Sequence, residues 1–222
     1  MDILNKVIML IISEGDILLE DTLLKSVSTL ANLIERRIMI YKDEFLYMSQ
    51  EPLITFLYTY SLVHADPNLL DKVFMDYPFT KQSGSRGKFD IYIDINSGYY
   101  VEVKYIRPIP SGTNLPLPQH RGSLINDLIR LSYRTSTKAK KYLLLVASRE
   151  FITHILNKPG FPTRNKTWHG RIRDLIVTAT EYNKISEENI THLDQKLELQ
   201  LLRHEVTHLL HIILWKVITL SR

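Results

Sequence analysis

The 222-residue chain has no cysteine, which excludes disulfide staples and thiolate metal sites and leaves a buried apolar core to hold the fold together. An intracellular, cytoplasmic setting fits that absence. Long hydrophobic runs are missing too. Val7 to Ile12 is a short apolar stretch between Lys6 and Glu14 with no small-residue cleavage site, so it does not read as a secretory leader. Nothing reaches the roughly 20 apolar residues that a membrane span needs, and no membrane association is expected.

Acidic residues are scarce in one third of the chain. Residues 104 to 173 hold 14 Lys and Arg against 2 Asp and Glu, a local charge of +12 in a chain whose total is +4. The remainder is therefore −8. Such a segment is expected to form a polyanion-binding surface, with solvated helix faces as the plainer alternative. What the chain has in quantity is apolar side chains, 45% of a 26.0 kDa protein, enough for one compact domain.

Residues 88 to 106 organise the rest. Both arms are rich in Ile, Val, Tyr and Phe, and Asn96-Ser97-Gly98 between them supplies turn residues, so a β-hairpin is expected. Alternation along a strand puts Glu102 and Lys104 on one face and Val101, Val103 and Tyr105 on the other, toward a core. A three-residue loop with Gly98 at positive φ would set Tyr92 opposite Glu102 and Asp90 opposite Lys104, adding Asp90 to the cluster. A two-residue loop would turn Asp90 away. Two close carboxylates repel unless a cation sits between them, and a hard divalent ion such as Mg²⁺ is the usual partner. An adjoining lysine suits phosphodiester hydrolysis, since it holds the attacking water while the metal stabilises charge on the phosphate.

Asp90 followed by Glu102-Val103-Lys104 resembles the active-site hairpin of the PD-(D/E)XK nuclease superfamily. The resemblance implies Asp90 and Glu102 as metal ligands and Lys104 as the motif lysine. Phe89 stands where the superfamily name has Pro. A surface hairpin with a cross-strand ion pair would give the same pattern. The resemblance also implies a further ligand on the preceding helix, for which Glu51 is the best-placed residue and Glu44 the reserve. Glu51 has a simpler role as well, as a first-turn carboxylate favouring the helix dipole.

Around that hairpin the order of elements can be read. Residues 2 to 12 and about 20 to 40 have helical spacing, with Leu23, Leu24, Val27, Leu30, Ala31 and Ile34 on one face. A second helix runs from a Ser49 N-cap, through Pro52, to about Ala65. Val73 to Phe79 reads as a strand, followed by a Gly-rich loop from Thr80 to Gly87; Arg86 in that loop and Lys88 just after it are candidate phosphate contacts. Arg107 to Gly122 reads as a four-proline loop reaching toward DNA, with Arg107, Gln119, His120 and Arg121 as contacts. Ser123 to Arg134 is expected to be helical and residues 140 to 147 a buried strand, so strand, helix and strand make a crossover in a mixed sheet. This order also resembles the elements that come after the E-x-K strand in the superfamily. Residues 149 to 157 form a short helix. A basic loop after it offers Arg164, Lys166, Arg171 and Arg173 to phosphates, and 174 to 180 is expected to add a last strand.

From Ser186 a long amphipathic helix is expected to run to the C-terminus, packing through Leu202, Val206, Leu209, Leu210, Ile213 and Val217. It contains His204-Glu-Val-Thr-His208, the zinc-peptidase pattern, read here as incidental because no third ligand is suitably placed. The expected fold class is α/β: a restriction-endonuclease-like mixed central sheet flanked by helices, with extra N-terminal and C-terminal helices. Residues 1–48 form the helical lead-in, 49–180 the nuclease-like core and 181–222 the helical extension. The function implied is a Mg²⁺-dependent endonuclease, foremost a type II restriction enzyme, acting as a homodimer on double-stranded DNA without a small-molecule cofactor. A repair or recombination nuclease and a non-catalytic DNA-binding module are the alternatives.

Overall fold

The computed structural model describes residues 2–48, 50–80, 84, 86–108, 116–162 and 167–220, and side chains there except those of 2–17, 43, 47 and 48. In chain order these form α1 (Asp2–Tyr41), α2 (Asp43–Met48), α3 (Glu51–Ala65), β1 (Val73–Thr80), β2 (Arg86–Ile93), β3 (Tyr99–Ile106), α4 (Leu117–Arg134), β4 (Lys140–Ser148), α5 (Arg149–Leu156), β5 (Thr167–Arg171), α6 (Ala179–Tyr182), α7 (Glu187–Ile190), β6 (Lys196–Val206) and β7 (Leu210–Thr219). The strands make one mixed sheet in the order β1-β2-β3-β4-β7-β6-β5. Only β3 and β4 run parallel, and α4 crosses between them. The protein is thus α/β with a seven-stranded mixed sheet flanked by helices.

Two cores lie on the two faces of the sheet. On one, Leu23, Val27, Leu30 and Ile34 of α1 and Ile54, Leu57 and Leu62 of α3 pack against Val101, Val103, Leu144 and Leu214. On the other, Leu124, Leu128 and Leu131 of α4 and Phe151 and Ile155 of α5 cover Leu143, Leu145, Ile213 and Trp215. The expected apolar stripe of α1 is therefore the one buried. Pro52 sits within the first turn of α3, where its missing N–H costs nothing, and Gln50 is the N-cap. Ser49 lies outside the described residues.

Three expectations need correction. The first concerns the C-terminus, which holds no long helix. Residues 196–219 are the β6–β7 hairpin, with Leu197↔Thr219 and Val206↔His211 at the ends of the ladder. Leu197 and Leu199 alternate with Glu198 and Gln200, the period of a strand. β7 lies between β4 and β6 and is buried on both faces, so its apolar residues run together as Ile212-Ile213-Leu214-Trp215. A continuous run of that kind mimics a buried helix.

The second correction concerns α4, which starts at Leu117, with Pro116 as its N-cap and Pro118 in its first turn. Prolines that resemble loop punctuation are here the start of a helix, so Gln119, His120 and Arg121 are helical. Last, Thr167–Arg171 of the expected basic loop form β5, while residues 172–175 form a 3-10 turn and 179–182 the short α6, so the strand expected over 174–180 is replaced by these turns.

Candidate functional site

The site forms where two strands part company. β2 and β3 pair through Ile93↔Tyr99, Tyr92↔Tyr100 and Ile91↔Val101, and the ladder ends there. β2 continues with β1 instead, along Tyr77↔Phe89 to Thr80↔Arg86, and Asp76 in β1 takes φ +56° at the position level with Asp90. The β1–β2 ribbon peels away, and the N–H groups of Val103 and Tyr105 lose their strand partner. Carboxylates replace it. Asp90 Oδ2 accepts from Val103 N at 2.7 Å and Glu51 Oε2 from Tyr105 N at 3.3 Å.

This register differs from the expected one by two residues. The turn is longer, with Asn96 at φ +53° and Gly98 at φ +84°, so Tyr92 faces Tyr100 and Asp90 comes level with Glu102 instead of Lys104. A shift of two preserves the face, and Asp90 stays with Glu102. A side-chain hydrogen bond joins them.

Glu102 is 1% exposed, and Arg130 of α4 grips both its oxygens, Nε to Oε1 at 3.3 Å and Nη2 to Oε2 at 2.5 Å. Lys104 Nζ lies 3.3 Å from Glu51 Oε2 and 3.0 Å from Asp127 Oδ2, so it ties α3 on one face of the sheet to α4 on the other. Arg130 Nη2 also reaches Asp127 Oδ1 at 3.3 Å.

Burial dominates the titration of these groups. It pushes the carboxyls of Glu51 and Asp90 up from their ordinary values, more than nearby Lys104 and the Val103 amide respectively pull them down. Glu102 is raised well above a normal carboxyl by burial and then by Asp90 beside it. One proton shared between Asp90 and Glu102 accounts for both, and it leaves one negative charge of the pair to face Arg130. Lys104 is raised despite its own desolvation, because Asp127 and Glu51 hold it as a cation.

All four residues expected to be catalytic, Asp90, Glu102, Lys104 and Glu51, are thus brought together. Two partners were missed, Asp127 and Arg130. Asp127 carried a signal, for it falls on the apolar stripe of α4 with Leu124, Leu128 and Leu131, and a carboxylate on such a stripe is buried for a reason. Arg130 follows one turn later.

The candidate DNA contacts fare differently. Arg86, Arg107 and Gln119 are exposed. Lys88 is exposed and pairs with Asp76 at 3.0 Å. Arg121 is a correction: it is 0% exposed, bound to Glu181 at 2.9 Å and to the carbonyls of Leu175 and Pro159, and no phosphate reaches it. Arg164 and Lys166 lie outside the described residues. Arg171 and Arg173 are exposed on and just after β5, four strand spacings or about 19 Å from β3, so they do not join this site. The basic segment is also less exposed than its charge suggests. Lys104, Arg121, Arg130, Arg134 and Lys141 are all engaged by internal partners.

The zinc-peptidase pattern dissolves in this geometry. His204 and Glu205 are neighbours on β6, so they point to opposite faces, and His208 lies in the following turn. His204 Nε2 instead meets His211 Nδ1 at 2.9 Å, and Glu205 binds Ser28 and Arg203. Among the described residues, no group of three His, Asp or Glu side chains is spaced to hold a metal ion, and no helix is long and apolar enough to cross a membrane. No protein family, curated protein or solved structure matches the chain.

Proposed function

We propose that this protein is a Mg²⁺-dependent endodeoxyribonuclease of the PD-(D/E)XK kind, and that its sheet and helices are a restriction-endonuclease-like fold. One observation carries the reading. At the parting of β2 and β3, four carboxylates, Glu51, Asp90, Glu102 and Asp127, share two cations, Lys104 and Arg130. Once the proton shared by Asp90 and Glu102 is displaced, the two surplus negative charges match one divalent ion.

The donor set fits magnesium, which takes oxygen ligands and needs only one or two carboxylates because it keeps several waters. Asp90 and Glu102 would hold it. When bound, such an ion supplies Lewis-acid stabilisation of charge on a phosphate oxygen. Lys104, kept protonated by Asp127 and Glu51, orients a water or phosphate oxygen and is too basic to accept a proton. Glu51, with its raised affinity for protons and its place 3.3 Å from Lys104, is the better acceptor for the proton of an attacking water. Arg130 positions Glu102.

A type II restriction enzyme, acting in the cytoplasm as a homodimer on double-stranded DNA, is the leading form, because the elements around the hairpin exceed a minimal nuclease core. A repair or recombination nuclease comes second. The bidentate grip of Arg130 on Glu102 favours one further reading, a DNA-binding module in which the arginine takes the place of the ion. Incubating plasmid and DNA of known sequence with Mg²⁺, with EDTA and with the Lys104→Ala variant separates these. Discrete fragments that require Mg²⁺ and Lys104 support the restriction enzyme, and binding without cutting supports the module.

A further inference from the structure

The end of the sheet away from the Asp90–Glu102 site holds two adjoining cavities. One, of about 350 Å³, is lined by Lys138, Lys140, Lys141 and Lys216, with Thr137 and Thr219. The other, of about 660 Å³, is lined by Arg171, Arg173 and Lys196 together with His192 and Asp194. Thr219 lines both, so they form one continuous surface. It crosses the N-terminal end of β4, the C-terminal end of β7, the N-terminal end of β6 and the C-terminal end of β5.

Charge concentrates here. Two carboxylates pair with these cations, Glu20 with Lys216 at 2.7 Å and Asp194 with Arg171 and Arg173. Seven cations and two anions leave +5, more than the +4 of the whole chain, so everything else sums to −1. Lys141 has a structural task as well, donating to Ser132 O near the C-terminus of α4 and to Thr219 Oγ1. Of the remaining cations, Lys138, Arg171, Arg173 and Lys196 are exposed, so packing does not account for them.

We propose that this surface is a second nucleic-acid docking site, one that grips the phosphate backbone of a duplex independently of the cleavage chemistry. Span and composition select that partner. The four strands extend over about 14 Å, a length along which a duplex presents about eight phosphates. No Trp, Tyr or Phe lines either cavity, and the one ring present, His192, is already stacked on Tyr133 with centroids 3.7 Å apart. Base stacking, the usual grip on single strands, has no platform here, whereas backbone phosphates need only positive charge. The surface begins at Lys141, two residues along β4 from the partner of Glu102 and four from the partner of Lys104, so it starts roughly 7 to 13 Å along the strand from these groups and runs away from them, contacting DNA outside the scissile phosphate.

The test is fluorescence anisotropy in EDTA, where cleavage plays no part. A 20-base-pair duplex is titrated against the native protein, against the triple variant Lys138→Gln, Arg171→Gln, Lys196→Gln, and against a control with Arg36→Gln and Lys42→Gln on and after α1. The native protein should bind with an affinity that falls steeply with salt. The triple variant should bind at least tenfold more weakly at 100 mM salt, with the slope of log K against log salt reduced by about 2 to 3 if each lost cation met one phosphate. The control should change little. An unchanged slope in the triple variant, an equal fall in the control, or retention on phosphatidylserine vesicles without duplex binding would each overturn the proposal. Lys104→Ala removes at most one phosphate contact, at the cleavage site, and should reduce the salt slope by no more than about 1 while abolishing cleavage, so failure of the nuclease reading and failure of this one are separable.

Discussion

Asp90 Oδ2 accepts the backbone N–H of Val103 at 2.7 Å, a side chain standing where a strand carbonyl would otherwise be. The same carboxyl is bonded to Glu102, so Asp90 both closes the gap left by β2 and builds the site. Asp90→Asn keeps an acceptor and is expected to unfold close to the native urea midpoint while losing at least a hundredfold in cleavage. Asp90→Ala leaves a buried amide unsatisfied and should lose about 1 to 3 kcal/mol as well. Urea titration of both variants, beside plasmid cleavage, separates the two roles. Equal destabilisation by Asn and Ala would count against this view of the hydrogen bond.

The carboxyls of Glu51, Asp90 and Glu102 are all raised in the folded state. A carboxyl whose folded value exceeds its unfolded one, near 4, binds more protons when folded, so its contribution is largest in acid and is lost as pH rises through the folded value. His120, His154 and His211 are lowered by burial and act oppositely, losing stability as the pH falls below about 6.5. The difference between native protein and an Asp90→Asn, Glu102→Gln double variant isolates Asp90 and Glu102, since Glu51 and the histidines are common to both. In EDTA, the native protein should gain stability relative to that variant as pH is lowered from 8 toward 5. A flat difference would remove the shared proton from the account.

A proton held between Asp90 and Glu102 must leave when a divalent ion takes its place. Calorimetric titration with Mg²⁺ in two buffers of different ionisation enthalpy should report release of up to one proton per ion, and none in the double variant. Saturating Mg²⁺ should also raise the melting temperature of the native protein, an effect that EDTA reverses.

β7 is a central strand, and its largest fully buried side chain is Trp215, which donates to Pro162 O at 2.6 Å and packs on Phe161. Trp215→Ala is expected to lose about 3 to 5 kcal/mol. Val206, an inward residue on the helical reading, is 62% exposed at the end of β6, and Val206→Ser should change stability by less than about 0.5 kcal/mol. Denaturation of the two variants distinguishes a paired strand from an amphipathic helix directly.

Much of this protein is written locally in its sequence. The α1 stripe, a helix opening near Pro52, the β2–β3 hairpin and the buried β4 follow from side-chain period and turn residues, which act over a few neighbours. So does the shared face of Glu102 and Lys104, because alternation along a strand is fixed by backbone geometry. What only the tertiary structure decided is which groups meet across long separations. The pairing of Asp90 with Glu102 depended on where β2 leaves β3, and the capture of Lys104 by Asp127 on how α4 crosses the sheet. Arg121 reads as a surface cation until Glu181 is seen beside it, and β7 reads as a helix until β4 and β6 are seen on either side. In each case the deciding partner is distant along the chain, and burial between two layers erases the periodicity that would have announced it.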